Sequence, residues 1–543
     1  MNEKDSSNVS GEEMFRIVND LCSFGYRRAG TPQAAKAEEY IYQKLQEAGL
    51  PDVRLAPFSF TRWWADRHEL TILSGGTPRV PSDQTVETFP IWFSGSTGKE
   101  GVVSELVYAG YGTAKDFERV DVDGKIALIE ARMILNFYAT WRVFGSLNLA
   151  KEHGALGLVT INGSPLDAVA YIMSGQEFES WKTSIPALSV NNDDGNYLKK
   201  LCEHGEKCTV KLVEDVKTEP AKSNIIIGTL PGRTEDIILV GTHTDSTFTG
   251  AVDNAGANAG LIALAKHYAN IPLESREKTM LFVGWTGHEC AYLGVNRFAE
   301  MFGEMFPRIA TFVMLDGFGS KGWYNQADGG VVETGTDEKR GLFVSDNPIL
   351  LRYIMEAIME YRLLPAAYVS ARSLPVSDLR PFISAGVPSI LVIGKPVWYH
   401  TKYDTPDKMT PDQLERTAKA HIQFINRIHK TPTEEIKAAD GKLSNVEELI
   451  VEKRREIAQP TVSFTITPNP MVEGETAVFH AAVFTGPESI LLGFTWDFGD
   501  GATSSLPLTV HAYSEAGTYE VTLTCKDNYG NVVSSRRIAR VTR

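Results

Sequence analysis

Four short apolar runs, at residues 237–240, 280–283, 311–315 and 389–393, constrain the fold of this chain more than any other feature of it. None of them alternates with polar residues, so each reads as a strand covered on both faces, which is the signature of a parallel sheet. Parallel neighbours need crossovers, and the apolar-faced helical pattern at 250–269 supplies one. The expected architecture is a mostly parallel, doubly wound α/β sheet, whose sites lie beyond the carboxyl ends of its strands. Each of the four runs is followed closely by a histidine or an acidic residue: His243, Glu289, Asp316 and His400 in turn.

At 543 residues the chain is too long for one core. The sheet pattern occupies 217–432, and helical periodicity at 11–49 with strand-like stretches at 53–60 and 69–73 assigns 1–74 to the same domain. Residues 75–216 change to short strands and Gly-rich turns and read as an inserted β-rich α/β domain. The polar stretch 433–459, with one amphipathic helical pattern at 446–457, reads as a linker. From 460 to 543, β-branched and aromatic alternation broken by Gly, Pro and Asn predicts a small all-β sandwich.

A net charge of −14 argues against nucleic acid and anionic membrane surfaces as partners. No run has the length of a membrane span and residues 1–20 hold no signal-like apolar stretch, so membrane insertion is not expected. As it stands the sequence predicts a cytoplasmic protein, or a secreted or periplasmic one if the chain is a processed form. Five scattered cysteines imply no disulfide framework; only Cys202 and Cys208 are close enough in sequence to suggest a pair.

The residues beyond the strands carry the chemistry. His243 with Asp245 two residues on suits a metal ligand whose second ring nitrogen is oriented by a carboxylate. Asp253 opens the following helix, where its two oxygens can bridge two cations. Glu289 and Asp316 directly follow buried strands, a costly place for a carboxylate unless it is paired or coordinates something. His400 occupies the loop after the fourth run. A structural explanation serves for each residue singly, but not for all five in this order.

These motifs, GTHTDS, GAVDNAGANAG, GHE, LDGFG and YHTKYDTPDK, resemble the dizinc exopeptidases typified by bacterial leucyl aminopeptidases and glutamate-carboxypeptidase relatives, over about residues 11–430. YAGYGTAKDFERVDVDGKIALI, AKEHGALGLVTI and IPALSV resemble the protease-associated domain, which implies a part in shaping the substrate cleft and no catalytic group. FTWDFGDG and HAYSEAGTYEVTLTCKDNYGN resemble a PKD domain, implying a polysaccharide or protein contact, or a passive appendage. The resemblance implies that His243, Asp253 and Asp316 hold one Zn2+ and Asp253, Glu289 and His400 another, with cobalt or manganese as substitutes. It further implies a cis peptide after Asp253, an orienting role for Asp245, and hydrolysis of peptide substrates by a metal-activated water.

One position departs from the family. Aligning Glu289 and Gly294 with its Glu-Glu-x-Gly-Leu-x-Gly pattern puts His288 where the glutamate base belongs. Imidazole, with a reference pKa of about 6.5, is suited to proton transfer near neutrality. The expected activity is that of an aminopeptidase with His288 as base. The alternatives are a carboxypeptidase or dipeptidase, a catalytically impaired or receptor-like metal binder, and a transferase resembling glutaminyl cyclase, which the five ligands and the inserted domain disfavour. In SDLRPFISAGVPS, Asp378 and Arg380 are candidate contacts for substrate ends, or else a solvated ion pair.

Overall fold

The computed structural model describes residues 8–74, 84–131, 139–162, 164, 167–172, 182–203, 207–325, 331–394, 396–443, 460–484 and 489–543. The four apolar runs lie in strands Thr234–His243, Lys278–Trp285, Ile309–Leu315 and Ser389–Gly394, every residue of the last two buried. Their neighbours run parallel: 278–285 beside 234–243, then 309–315, then 389–394. On one face pack helices Gly11–Ser23, Gly256–Ala269, Pro348–Glu360 and Pro411–Lys430, around Val18, Leu21, Leu261, Ile354 and Ile425. The other face is closed by helix Leu293–Phe302 and by Phe298, Phe306 and Phe312, whose rings gather around that of Phe382. Two of these helices start as their sequences dictate: Asn347 and Thr410 accept hydrogen bonds from first-turn N–H groups, and each is followed by proline.

The flanks of the sheet are mixed rather than parallel. Strand Thr209–Leu230 lies antiparallel to 278–285, and Arg340–Val344 antiparallel to 389–394. The stretches expected as two strands, 53–60 and 69–73, form one strand, Asp52–Ser74, paired with Thr209–Leu230 along its whole length. Between them Trp63 and Ala65 stay buried, and Arg62 pairs with Glu219 at 2.8 Å. This ribbon leaves the catalytic sheet at one end and enters the inserted domain at the other, where Ile126–Ala131, Gly157–Asn162 and Ala187–Val190 run parallel.

The C-terminal sandwich forms, with its own core around Phe479, Trp496 and Leu523. It is not a separate body. Its strand Ile490–Asp497 adds to the catalytic sheet beside Ala366–Ser370, with Ala366 opposite Ile490 and Ala367 opposite Leu491. Ile490 and Leu492 belong to the catalytic core, and Ala367 to the core of the sandwich.

Two smaller expectations are corrected. Helix Thr433–Ala439, in the stretch read as linker, docks on the central domain: Thr433 donates to Asp236 at 2.6 Å, Asn347 to the Ile436 carbonyl at 2.8 Å, and the Leu443 N–H to the Asp346 carbonyl at 2.8 Å. The helix expected at 446–457 lies outside the described residues. The cysteines are all free thiols, and Cys202 donates to the Leu106 carbonyl at 3.3 Å instead of pairing with Cys208. No described helix is long and apolar enough to cross a membrane.

Candidate metal centre

The strand ends converge on a buried group of carboxylates and imidazoles. His243 is the last residue of its strand and fully buried. Its Nδ1 lies 3.2 Å from the main-chain oxygen of Asp245 and 3.4 Å from its carboxylate, so the ring is held with Nε2 facing the cluster. Asp245 does more than orient that ring, because its two oxygens accept the N–H groups of His288 and Glu289 at 3.2 and 3.0 Å. One buried carboxylate thereby fixes the ends of two adjacent strands.

Asp253 lies in a kinked turn before helix Gly256–Ala269, and the Asp253–Asn254 peptide is cis, as the family resemblance implied. Gly250, with φ of 58°, opens that turn; a Cβ there would stand 2.3 Å from the Asp253 carbonyl oxygen, so only glycine fits. The two oxygens of Asp253 divide between two imidazoles: Oδ1 is 3.2 Å from His243 Nε2 and Oδ2 is 3.2 Å from His400 Nε2. His400 Nε2 is also 3.3 Å from Glu289 Oε1, and His243 Nε2 is 3.9 Å from Asp316 Oδ1. Asp316 is positioned through its other oxygen by the Ser377 hydroxyl at 2.8 Å. The five residues expected as ligands therefore lie together, with Asp316 near His243, Glu289 near His400, and Asp253 beside both imidazoles.

The donor atoms fit cations. His243 Nε2, Asp253 Oδ1, both Glu289 oxygens and His400 Nε2 are buried without a hydrogen-bond partner, a costly state for five polar atoms unless positive ions satisfy them. Zinc bonds of about 2.0–2.2 Å at tetrahedral angles place donors about 3.3–3.6 Å apart; the separations of 3.2, 3.2 and 3.3 Å come close to this, while the 3.9 Å between His243 and Asp316 is longer. The electrostatics agree. Burial pulls His243 towards the neutral form, but the neighbouring carboxylates of Asp245, Asp253 and Asp316 outweigh it and hold its pKa well above the ordinary range. Glu289 is pushed up by burial and by Asp253, with His400 opposing. The pocket calls for positive charge that its own side chains supply only by protonation.

His288 is 4% exposed and stacks on His243 with ring centroids 4.1 Å apart. Its Nδ1 is 3.0 Å from Asp378 Oδ1, and Asp378 Oδ2 accepts from Trp285 Nε1 at 2.7 Å. Trp285 reaches that far because its indole lies across Gly241 of the neighbouring strand, where a Cβ would come within 2.5 Å of the ring. Asp378 is fully buried. The structure thus moves it from the expected contact with substrate ends to a place behind His288, where its Oδ2 accepts from Trp285 and its Oδ1 lies beside the imidazole. Arg380 is exposed, with its guanidinium 6.0 Å from the centre of the Tyr292 ring. The ligand atoms of His243, His288 and Asp316 lie within 4.8 Å of one another, as do those of Asp253, Glu289 and His400.

Three contributors had no assigned role in the sequence reading. Asp404 accepts the N–H groups of Val252 and Asp253 at 2.9 and 3.0 Å, and burial pushes its carboxyl up to about 7. Arg27, fully buried, donates to the carbonyls of Thr249 and Gly250 at 2.7 and 2.9 Å and so shapes the loop before Asp253. Tyr171 of the inserted domain donates its hydroxyl to the Glu289 carbonyl and its N–H, at 2.8 Å, to the His400 carbonyl. Asp404 stands four residues beyond His400 in a motif already singled out; Arg27 and Tyr171 carry no local signal.

Comparison with known proteins places these features. Residues 224–425 match the family model of peptidase family M28, 101–198 that of the PA domain and 457–542 that of the PKD domain. Carboxypeptidase Q of Xenopus laevis is 23% identical over 426 residues, covering 74% of this chain and 82% of the relative. Among solved structures, a zinc aminopeptidase from Bacillus subtilis superposes with a TM-score of 0.60 at 20% identity, over 79% of this chain and 98% of that one. An aminopeptidase from Aneurinibacillus sp. strain AM-1 gives 0.58 at 24% identity, over 78% and 95%. At these identities the likeness to the two structures is one of fold.

Proposed function

We propose that this chain, whose catalytic domain belongs to peptidase family M28, is a two-zinc exopeptidase that removes residues from the free amino end of peptides. The observation that carries this reading is the division of Asp253 between His243 and His400, each imidazole 3.2 Å from a different carboxylate oxygen. His243, Asp253 and Asp316 hold one ion, and Asp253, Glu289 and His400 the other. When bound, the ions supply Lewis acidity that activates a water and polarises the scissile carbonyl.

The chain's own residues move the proton. His288 Nδ1 lies 3.0 Å from the Asp378 carboxylate, which favours the proton on that nitrogen; the Nε2 lone pair then accepts a proton from the attacking water, and the imidazolium passes it to the leaving amine. Asp378 stabilises the imidazolium and, held by Trp285, fixes the tautomer. Asp245 keeps His288 and Glu289 at a set distance from His243 through the two N–H groups it accepts. The exposed Arg380 is a candidate contact for the carboxyl side of a substrate. The C-terminal sandwich acts as a buttress of the catalytic sheet rather than as a free anchoring arm, a reading supported by the strand it adds beside Ala366–Ser370.

A second reading, favoured by the grouping of His243, His288 and Asp316, makes His288 a further ligand of the first ion. Zinc content by elemental analysis, together with turnover of amino-acid amides, free dipeptides and end-blocked peptides, separates the readings. Two zincs per chain and turnover that needs a free amino group are expected. His288→Ala should keep both zincs and lose about 10²- to 10⁴-fold in kcat, the usual contribution of a general base. A variant that loses a zinc assigns His288 to coordination. Bound zinc with no turnover of any N-terminal, C-terminal or dipeptide substrate refutes the hydrolytic reading.

A further inference from the structure

We propose that Tyr171, from the inserted domain, is a positioning residue for the Glu289 and His400 half of the metal centre, so that docking of that domain sets how tightly this half holds its ion. The proposal rests on the reading of Glu289 and His400 as ligands. Tyr171 is 1% exposed, and it is the one residue described above that hydrogen-bonds the backbone of both ligands, through its hydroxyl to Glu289 and through its N–H to His400. Its ring stands edge-on to the His400 ring, 5.0 Å away at 66°. A bond to the main chain of a ligand fixes where its side chain begins, and partners of this kind tune affinity although they touch no metal.

Both backbones need such support. His400 has a φ of 61°, a left-handed conformation that a non-glycine residue adopts only when its surroundings hold it there. Two residues beyond Glu289, Ala291 and Tyr292 have φ of 58° and 60°, so this ligand too leads into an unfavourable turn. A tie from outside the loops is what keeps two such segments in register, and it comes from a different domain.

Tyr171 is itself firmly held by that domain. Its ring packs edge-on against Phe89 and Trp92, with centroids 6.1 and 5.8 Å away. Its neighbour Ala170 forms an antiparallel bridge with Thr401, the residue after His400. At the surface the same two segments are latched: the Tyr403 hydroxyl donates to Asp167 at 2.6 Å, and Lys402 pairs with Glu87 at 2.8 Å. The inserted domain therefore grips the loop at His400 and at the three residues after it, and Tyr171 transmits that grip to Glu289.

Tyr171→Phe keeps the ring and removes the hydroxyl donor. The metal-free protein, stripped by a chelator, is titrated with zinc against a colorimetric competitor, which needs no substrate. The expected result is one binding step equal to wild type and one weakened by about 10- to 100-fold, the usual effect of removing a ligand's supporting partner. The zinc concentration for half-maximal hydrolysis should rise by the same factor, and kcat should recover at saturating zinc. The metal-free variant should melt with the wild type; if it does not fold, the exposed pair Asp167→Ala with Tyr403→Phe carries the test, with the same step weakened by a smaller factor. Zinc curves that overlay wild type, or equal weakening of both steps, overturn the proposal. A wild-type protein that binds two zincs and hydrolyses nothing would refute the exopeptidase reading while leaving the titration to decide the role of Tyr171.

Discussion

Asp378→Asn tests the chemistry of the departure at His288 with almost no change of shape. In the wild type Asp378 Oδ2 accepts from Trp285 Nε1 at 2.7 Å, and its Oδ1 stands 3.0 Å from His288 Nδ1. Asparagine has one oxygen and one NH2 group. Indole can only donate, so the amide oxygen must turn to Trp285 and the NH2 to His288. His288 Nδ1 then becomes an acceptor, its proton moves to Nε2, and the nitrogen facing the reaction is no longer a base. The loss is the general-base contribution, about 10²- to 10⁴-fold in kcat, or about 3–5 kcal/mol of barrier at 1.36 kcal/mol per decade. Steady-state kinetics on an amino-acid amide should show this fall in kcat with KM within about threefold, since Asp378 is buried behind the base and away from substrate. Zinc content should stay at two. A kcat within threefold of wild type would show that proton transfer does not pass through the His288–Asp378 pair, and loss of one zinc would show that the pair positions a ligand instead.

Three further outcomes follow from the same structure. In the double variant His288→Glu with Asp378→Asn, which also removes the like charge beside the new carboxylate, the acid limb of kcat/KM should move down by about 2 pH units, the difference between the reference values of the two bases; an unmoved limb means another group takes the proton. Burial pulls His421 down from 6.5 to about 4 and His429 to about 3. The unfolded chain therefore binds more protons than the native one below pH 6.5, so stability present above that pH is lost as pH falls, by on the order of a few kcal/mol for each histidine. The variant His421→Gln with His429→Gln should flatten the fall in Tm of metal-free protein between pH 6.5 and 4, and an unchanged slope would refute this. Because Ile490 is wholly buried in the catalytic core, Ile490→Ala should cost about 2–5 kcal/mol, and calorimetry should show sandwich and catalytic domain melting together; a separate transition for the sandwich would contradict the shared sheet.

The central sheet and the ligands were legible because both leave local signals. An unbroken apolar run such as 311–315 has few other uses, and Asp316 directly after it needs a partner. What sequence hid was decided by tertiary contact. Asp378 looked like half of an exposed pair with Arg380; its inward turn depends on Trp285 crossing Gly241, a contact between strands far apart in sequence. Tyr171 sits in a domain whose resemblance implied no part in catalysis, and nothing near it in sequence marks it. In the ribbon 52–74, Arg62, Asp66 and Arg67 lie between the two alternating stretches, and ion pairs with Glu219, Lys217 and Glu69 let one strand pass through them.

That ribbon also works as a ruler. Asp52–Ser74 and Thr209–Leu230 pair from the central sheet into the inserted domain, with register shifts only at Ala65/Arg67 and Ile72/Ser74, so the distance of the domain from the metal centre is counted out in residues. A single residue inserted into one strand midway would shift everything beyond it by about 3.3 Å and turn its side chains to the opposite face. Such a shift exceeds the tolerance of a hydrogen bond, and Tyr171 would lose both carbonyls at once. Lengthening the loops within the inserted domain leaves the count unchanged, so this architecture is free to vary at the domain's far side while remaining intolerant of insertion along the ribbon that carries it.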